Sequence, residues 1–393
     1  MGYDAHEDTY ATSCDEFSDS ESELSSVEQL FKGYEPSLIV LDGSDHALFT
    51  QIEQLIDCLR ASKLIQQVRV STAFLQGLDN TEDNNNNKKC EETHALFAAI
   101  AGLHPICETF ICHLHRHLAR DVIQEKDGGL WTCAKTMQRL TLNNFLLTDD
   151  LIVALGQNEE LTELRAYFDS GSKSKDAEAA AAEDKRGLDP LFLALSKSPR
   201  LQMLDVYAKE DERPEKPRRL TAAALTALCQ NPTLQEVKLW HLDTDLTIAM
   251  AKALETDKTL KRISLNACFV KNEGYSAMAQ MLTVNTALEK IHISDIVSAD
   301  SCIELAKALE SNNTLKELEL TYESESNKVL QAMVEMLEKN TTLQQLKLYM
   351  SYSFENDMSF SAEKGTEYEE SQAADDWELK LDALLEQNRK GLR

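Results

Sequence analysis

Between Gln230 and Met350 apolar residues recur in a fixed two-part rhythm. NPTLQEVKL (231–239) returns as DKTLKRISL (257–265), NTALEKIHI (285–293), NNTLKELEL (312–320) and NTTLQQLKL (340–348). The leading leucines Leu234, Leu260, Leu288, Leu315 and Leu343 stand 26, 28, 27 and 28 residues apart, a spacing that marks stacked repeats. In LxxLxL the last two apolar residues alternate, as on a strand with one buried face. The period then changes. Cys302, Leu305, Ala306 and Leu309 fall at i, i+3, i+4 and i+7, as do Leu330, Met333, Val334 and Leu337. Each set predicts a helix with one apolar stripe, and Lys307, Glu310, Glu335 and Lys339 take its outer face. Asn231, Asp257, Asn285 and Asn340 stand three residues before an anchor, where the helix must stop. Asn tolerates the left-handed conformation common at helix ends, which is the role expected of it here. One strand and one helix cannot enclose a core, so the units must stack on one another.

Toward the N-terminus the rhythm loosens. Weaker anchors fall at Ile65 (LIQQVRV), Ile106 (HPICETFI), Met137 (MQRLTL), Leu161 (LTELRAY) and Leu201 (LQMLDVY), with Asn158 and Ser198 keeping the position three before the last two. The repeats are thus expected over 65–350, interrupted near 78–91, 169–187 and 208–219. Residues 35–64 suit an N-terminal cap: a short strand at Leu38–Leu41, then a helix carrying Leu48, Ile52, Leu55, Ile56 and Leu59. Such a cap covers the first exposed core face of an array. At the other end LLEQN (384–388) echoes MLEKN (336–340). Residues 377–393 are therefore expected to form the last helix and C-terminal cap, displaced by an acidic insertion over 351–376. Trp377, Leu381, Leu384 and Leu385 would share one face of that helix. All the insertions are expected between a strand and its helix, hence along one edge, where repeat proteins often bind.

These repeats resemble the ribonuclease-inhibitor-like subfamily of leucine-rich repeats, shared with Ran GTPase-activating proteins and the C-terminal arrays of NLR receptors. The resemblance implies an α/β solenoid, a horseshoe with parallel strands on its concave face and α-helices on its convex face. It fixes no activity, since the subfamily serves inhibitors, GTPase regulators and scaffolds.

Composition narrows the classes. The 393 residues carry 67 acidic and 40 basic side chains, a net charge of -27, which opposes general nucleic-acid binding. Residues 1–34 form an acidic segment with Ser18, Ser20 and Ser22 among Asp and Glu, expected to be a disordered tail open to acid-directed kinases. Nine scattered cysteines suit reduced buried thiols more than a disulfide framework. No apolar run approaches a membrane span and the first thirty residues lack a hydrophobic signal core, so a cytoplasmic or nuclear location without membrane association is expected.

Chemistry has to be sought on the concave face. The residues between and after the strand leucines are expected to point there, and the candidate protein-binding set is Arg165, Tyr167, Phe168, Tyr207, Lys238, Trp240, His241, Arg262, Lys290, Tyr322 and Tyr349. Rings beside arginines and lysines are the anchors protein interfaces use. Asp295 and Asn266 also follow their strands, and Glu163, Asp205, Glu236, Glu317 and Glu319 interleave with the basic residues, leaving this face nearly balanced in charge. The cluster Cys107, Cys112, His113, His115 and His117 lacks the paired CxxC knuckles of common zinc motifs. With 13 glycines there is no phosphate-cradling loop and no nucleophile elbow. No catalytic residue, cofactor or metal is assigned. The expected activity is that of a non-catalytic scaffold binding a protein partner on the concave face and inserted edge. The resemblance leaves a Ran-type GTPase-activating role, with a small GTPase as partner, as the alternative.

Overall fold

A computed structural model describes residues 27, 31, 37–41, 51–71, 74, 86–103, 109–113, 129–145, 147–168, 187–208, 220–268, 270–323, 328–351 and 367–391. Eleven strands form one parallel sheet in sequence order: β1 (Leu38–Leu41), β2 (Gln67–Val70), β3 (Thr109–His113), β4 (Arg139–Phe145), β5 (Glu163–Phe168), β6 (Met203–Ala208), β7 (Glu236–Trp240), β8 (Arg262–Asn266), β9 (Lys290–Val297), β10 (Glu317–Glu323) and β11 (Gln345–Ser351). A helix follows each strand: α1 (Ile52–Ala61), α2 (Asn86–Gly102), α3 (Gly129–Thr136), α4 (Asp149–Gly156), α5 (Asp189–Leu195), α6 (Ala222–Cys229), α7 (Thr244–Leu254), α8 (Asn272–Val284), α9 (Ala299–Leu309), α10 (Lys328–Lys339) and α11 (Glu367–Arg389). This is the expected α/β leucine-rich repeat solenoid. Packed helices need roughly 10 Å of spacing and hydrogen-bonded strands roughly 5 Å. Helices stacked on one side of the sheet therefore bend the array, with the strands on its concave face. No described helix is long and apolar enough to cross a membrane.

The anchors do what their spacing requires. Leu234, Leu260, Leu288, Leu315 and Leu343 are fully buried, and one continuous core runs from Val27 to Leu385. Four of the described helices start on side chains that the sequence supplies for the purpose. Thr148, Thr221, Asp243 and Ser298 accept backbone N–H groups from the first turns of α4, α6, α7 and α9.

The helix-ending asparagines work differently from expectation. Among the described non-glycine residues positive φ occurs at His241 and Ala267, so the asparagines are not left-handed caps. They form a buried ladder instead. Asn340 Nδ2 donates to Leu309 O at 2.6 Å and Asn312 O at 2.9 Å, while its Oδ1 accepts from Thr342 N and Leu343 N at 2.8 Å each. Asn158, Asn231, Asn285, Asn312 and Asn388 donate in the same way to carbonyls of the preceding unit. The amide has both the donors and the acceptor needed to satisfy buried backbone groups of two repeats at once.

Four other expectations are corrected. Register pairs Phe110 with Leu140 and Cys112 with Leu142, so the third unit runs one residue later than an anchor at Ile106 requires. The acidic tail does not extend to 34: Val27 is buried, its N–H donates to Gln51 Oε1 at 3.3 Å, and Phe31, four residues on, packs against the same core. Helix α2 opens at Asn86, within the insertion expected over 78–91, and α11 opens at Glu367, within the insertion expected over 351–376. In both cases the first turns are polar, and a search for an apolar stripe starts too late. β2, β5, β6 and β11 end at Val70, Phe168, Ala208 and Ser351, and their helices resume at Asn86, Asp189, Ala222 and Glu367. With β3, which ends at His113 before the helix at Gly129, these five long connections all follow the C-terminal end of a strand in a parallel sheet.

Candidate functional site

Strand register sorts the outward side chains of the concave face into three rows. The lowest runs Arg139, Glu163, Met203, Glu236, Arg262, Lys290, Glu317, Gln345. The middle row runs Thr141, Arg165, Asp205, Lys238, Ser264, His292, Glu319, Lys347. In the upper row Asn143 pairs with Tyr167 and Tyr167 with Tyr207, Trp240 pairs with Asn266, and Thr321 with Tyr349. The two lower rows are charged and the upper row is not.

Most charges in the lower rows neutralise one another. Arg165 meets Glu163 at 2.7 Å, Arg262 meets Glu236 at 2.8 Å and Lys290 meets Glu317 at 2.8 Å. Glu319 lies between His292 and Lys347, at 3.4 Å from each. Burial pushes its carboxyl up, but the His292 and Lys347 charges and a hydrogen bond from Tyr349 outweigh that and hold it below the usual range.

Asp205 is the centre of the aromatic group. Its side chain is almost wholly buried, with the residue 4 % exposed. Tyr167 donates its hydroxyl to Oδ2 at 3.2 Å, Trp240 Nε1 donates to Oδ1 at 3.2 Å, and Lys238 Nζ lies 3.9 Å from Oδ2. The two outer rings thus lean over the carboxylate from β5 and β7. Tyr207, two residues beyond Asp205 on β6, stands between them, with its ring centroid 6.1 Å from Tyr167 and 5.2 Å from Trp240. The Tyr207 and Trp240 planes cross at 70°, the edge-to-face arrangement that ring quadrupoles favour. Burial first, then the Asp205 charge and hydrogen bond, push the Tyr167 phenol up to about 12.

His241 extends the group beyond Trp240. Its backbone is left-handed at φ 55, its N–H donates to Asn266 O at 3.1 Å, and its ring lies 5.4 Å from Tyr207. Nδ1 sits 3.0 Å from Ala267 O. A carbonyl can only accept, so this nitrogen carries the proton. Asp295 accepts the Cys268 N–H beside this turn, and burial raises its carboxyl above the usual range.

Of the candidate residues, Arg165, Tyr167, Tyr207, Lys238, Trp240 and His241 come together on β5 to β7. Arg262 and Lys290 stand on the next two strands within the paired lower row. Tyr349 is 48 % exposed but four strands from Trp240, roughly 20 Å away at ordinary strand spacing. Phe168 and Tyr322 are corrections, being 3 % and 2 % exposed in the core. Side chains alternate along a strand. Phe168 shares the parity of Leu164 and Ala166, and Tyr322 that of Leu318 and Leu320, so both must point inward. Asp205, the residue that joins this group, counts in the sequence only as one acid among several. A lone acid between Arg165 and Lys238, with rings two residues on in all three strands, was the pattern that could have singled it out. Of the cysteine and histidine cluster, Cys112 is a core residue whose thiol is raised by burial. Cys107, His115 and His117 lie outside the described residues, as does the side chain of His113.

No protein-family model matches the sequence. Solved structures with a similar repeat architecture include leiomodin-1 actin-binding site 2, at 18% identity and a TM-score of 0.34, over 44% of this chain and 89% of that one. The tropomodulin C-terminal domain of Caenorhabditis elegans matches at 12% identity and a TM-score of 0.33, over 44% of this chain and 96% of that one. The leucine-rich repeat-containing protein LegL7 of Legionella pneumophila matches at 13% identity and a TM-score of 0.43, over 88% of this chain and 98% of that one. The assignment of this chain as a leucine-rich repeat solenoid rests on its own strand order, register and buried anchors.

Proposed function

We propose that the protein is a non-catalytic scaffold that holds a protein partner against the concave face, with Tyr167, Tyr207, Trp240 and His241 as the central anchor. The observation that carries this reading is the Asp205 carboxylate, which locks Tyr167 and Trp240 from two sides. Rings fixed before binding lose little rotamer freedom on binding, so more of their contact energy reaches the complex. Tyr and Trp also dominate the energetics of protein interfaces. Arg165 and Lys238 border the rings and supply polar contacts at the rim, while the uncharged upper row suits a partner surface without strong net charge. That β5 and β6, which carry two of these rings, are both followed by long connections supports a binding edge beside the anchor.

The test is affinity capture with identification by mass spectrometry, comparing the native chain, Trp240→Ala, and Lys252→Ala on an exposed helix position. A partner held by the native chain and Lys252→Ala but lost from a folded Trp240→Ala supports the reading. Equal capture by all three places the interface elsewhere. A parallel GTP hydrolysis assay with small GTPases addresses the GTPase-activating alternative, which acceleration by the native chain would establish.

A further inference from the structure

We propose that the outer edge of β11 is a second docking site, which receives an extended polypeptide segment carrying a leucine-like side chain. The fully described handovers inside the array share one set of bonds. The carbonyl one residue past an anchor accepts two N–H groups from the next unit, as Lys316 O does from Gln344 at 2.7 Å and Gln345 at 2.9 Å. The ladder amide's oxygen accepts the N–H groups leading into the next strand, at 2.8 Å from both Ala287 and Leu288 for Asn285. The next unit then covers the apolar pair of the strand before it: Leu318 and Leu320, which pair in register with Leu346 and Leu348, are buried.

At α11 this pattern stops partway. Asn388 Nδ2 still donates to Asn340 O at 3.0 Å and Leu343 O at 2.8 Å, so the ladder reaches this far. Its Oδ1, however, is buried without a partner. The N–H groups that should approach it turn back, Lys390 to Glu386 O and Gly391 to Asn388 O, both at 3.1 Å. Gln344 O receives Arg389 Nε at 2.9 Å in place of the two backbone N–H groups. The anchor position, three residues past Asn388, is Gly391, with φ +63 and open space where a Cβ would stand.

The missing anchor leaves a gap of defined shape. Leu346 and Leu348 are only partly buried, and a cleft of about 450 Å³ opens beside β11, lined by Glu317, Gln344, Gln345, Leu346, Lys347 and Arg389. No described strand pairs with this edge of β11. An unpaired strand edge is a template for another extended backbone, with pockets for alternate side chains providing selectivity. The occupant that fits is a parallel strand from a partner protein, with a leucine-like side chain against the partly buried Leu346 and Leu348 and polar groups toward the Glu317, Gln344, Gln345, Lys347 and Arg389 lining of the cleft. This site does not depend on the concave aromatic group.

The test uses the full chain and a synthetic peptide of residues 340–351, the turn and strand that the array itself places after β10. Titration should give saturable one-to-one binding and added hydrogen-exchange protection of β11 amides. The peptide carrying Leu343→Ala should bind at least about tenfold more weakly. In the protein, Leu346→Lys should abolish binding with an unchanged circular dichroism spectrum, and if that variant does not fold the peptide pair decides. Absence of saturation up to about 1 mM, equal affinity for the two peptides, or protection away from β11 overturns the proposal. Concentration-dependent self-association that protects the same edge without peptide also overturns it, since the occupant would then be a second copy.

Discussion

Trp240 and Asp205 are joined across neighbouring strands, the indole N–H of one donating to a carboxylate oxygen of the other at 3.2 Å. The bond ties a partly exposed ring to a buried acid, so the stability of the fold and the posture of the binding face depend on the same side chain. Tyr167 holds the second oxygen at 3.2 Å, which leaves the carboxylate little freedom to turn.

Removing that carboxylate should loosen both rings. Asp205→Ala leaves a phenol, an indole N–H and the Lys238 ammonium without their shared acceptor and is expected to cost about 1–3 kcal/mol. Asp205→Asn keeps the volume and one acceptor oxygen and should cost less. Urea unfolding measures the difference. The emission of Trp240, isolated by subtraction of a Trp240→Phe variant, should shift toward that of a solvated indole in Asp205→Ala.

Alkaline pH should destabilise the array before it affects most surface groups. Burial raises the thiols of Cys229, Cys268 and Cys302 from 9.0 to about 12 and, with Asp205, the phenol of Tyr167 from 10.0 to about 12. Each group binds its proton more tightly when folded. Its contribution is therefore complete below the unfolded pKa and disappears as pH rises through the folded one. The urea midpoint is expected to hold steady up to about pH 9 and to fall between about pH 9 and 12. Cys302→Ala should flatten part of that fall, and an unchanged slope would contradict the assignment.

The asparagine ladder yields a sharper contrast. Asn285 is buried, donates to Leu254 O at 2.6 Å and accepts from Ala287 and Leu288. Asn285→Ala orphans all three backbone groups and should cost about 2 kcal/mol or more. At the equivalent position Asp257 occurs naturally and accepts from Thr259 N at 3.0 Å and Leu260 N at 2.7 Å. Asn285→Asp would keep that half of the network and lose the donation to Leu254 O. It should fall between native and Asn285→Ala in urea midpoint at neutral pH.

The solenoid was legible because its two periods, 2 in the strand and 3.6 in the helix, repeat with the same anchors. The concave site was legible only in outline. Tyr207 and Trp240 share the parity that faces solvent, but Phe168 and Tyr322 stand two residues past the inward-facing Ala166 and Leu320, one step out of phase, and so turn into the core. The same one-residue step separates an anchor at Ile106 from the register of Phe110 with Leu140, and the irregular spacing there offers no neighbour to check against. The ladder was misread because an asparagine at a helix end fits two roles, a left-handed cap and a buried amide. Only contact with the preceding unit, 21 or more residues away for Asn158, tells them apart. The hub role of Asp205 is likewise a three-strand property that no single segment contains.

The nearest-neighbour construction of the array makes one deletion informative about the whole. Leu288 is fully buried, and Leu288→Ala should cost about 2–5 kcal/mol through lost transfer energy and the cavity left behind. In a globular core that loss would be shared by every element. Among the described strands β9 pairs with β8 and β10 alone, so the weakened interface divides the units before it from those after it. The C-terminal units, from β9 to α11, form a short array in which few interfaces offset the conformational entropy of ordering. Leu288→Ala is therefore expected to separate unfolding into two steps, the C-terminal one first. Hydrogen exchange should show lost protection in β9 to β11 at urea concentrations where β5 to β7 remain protected. A single transition with uniform loss of protection would mean that the repeats are coupled far more strongly than neighbour contacts alone provide.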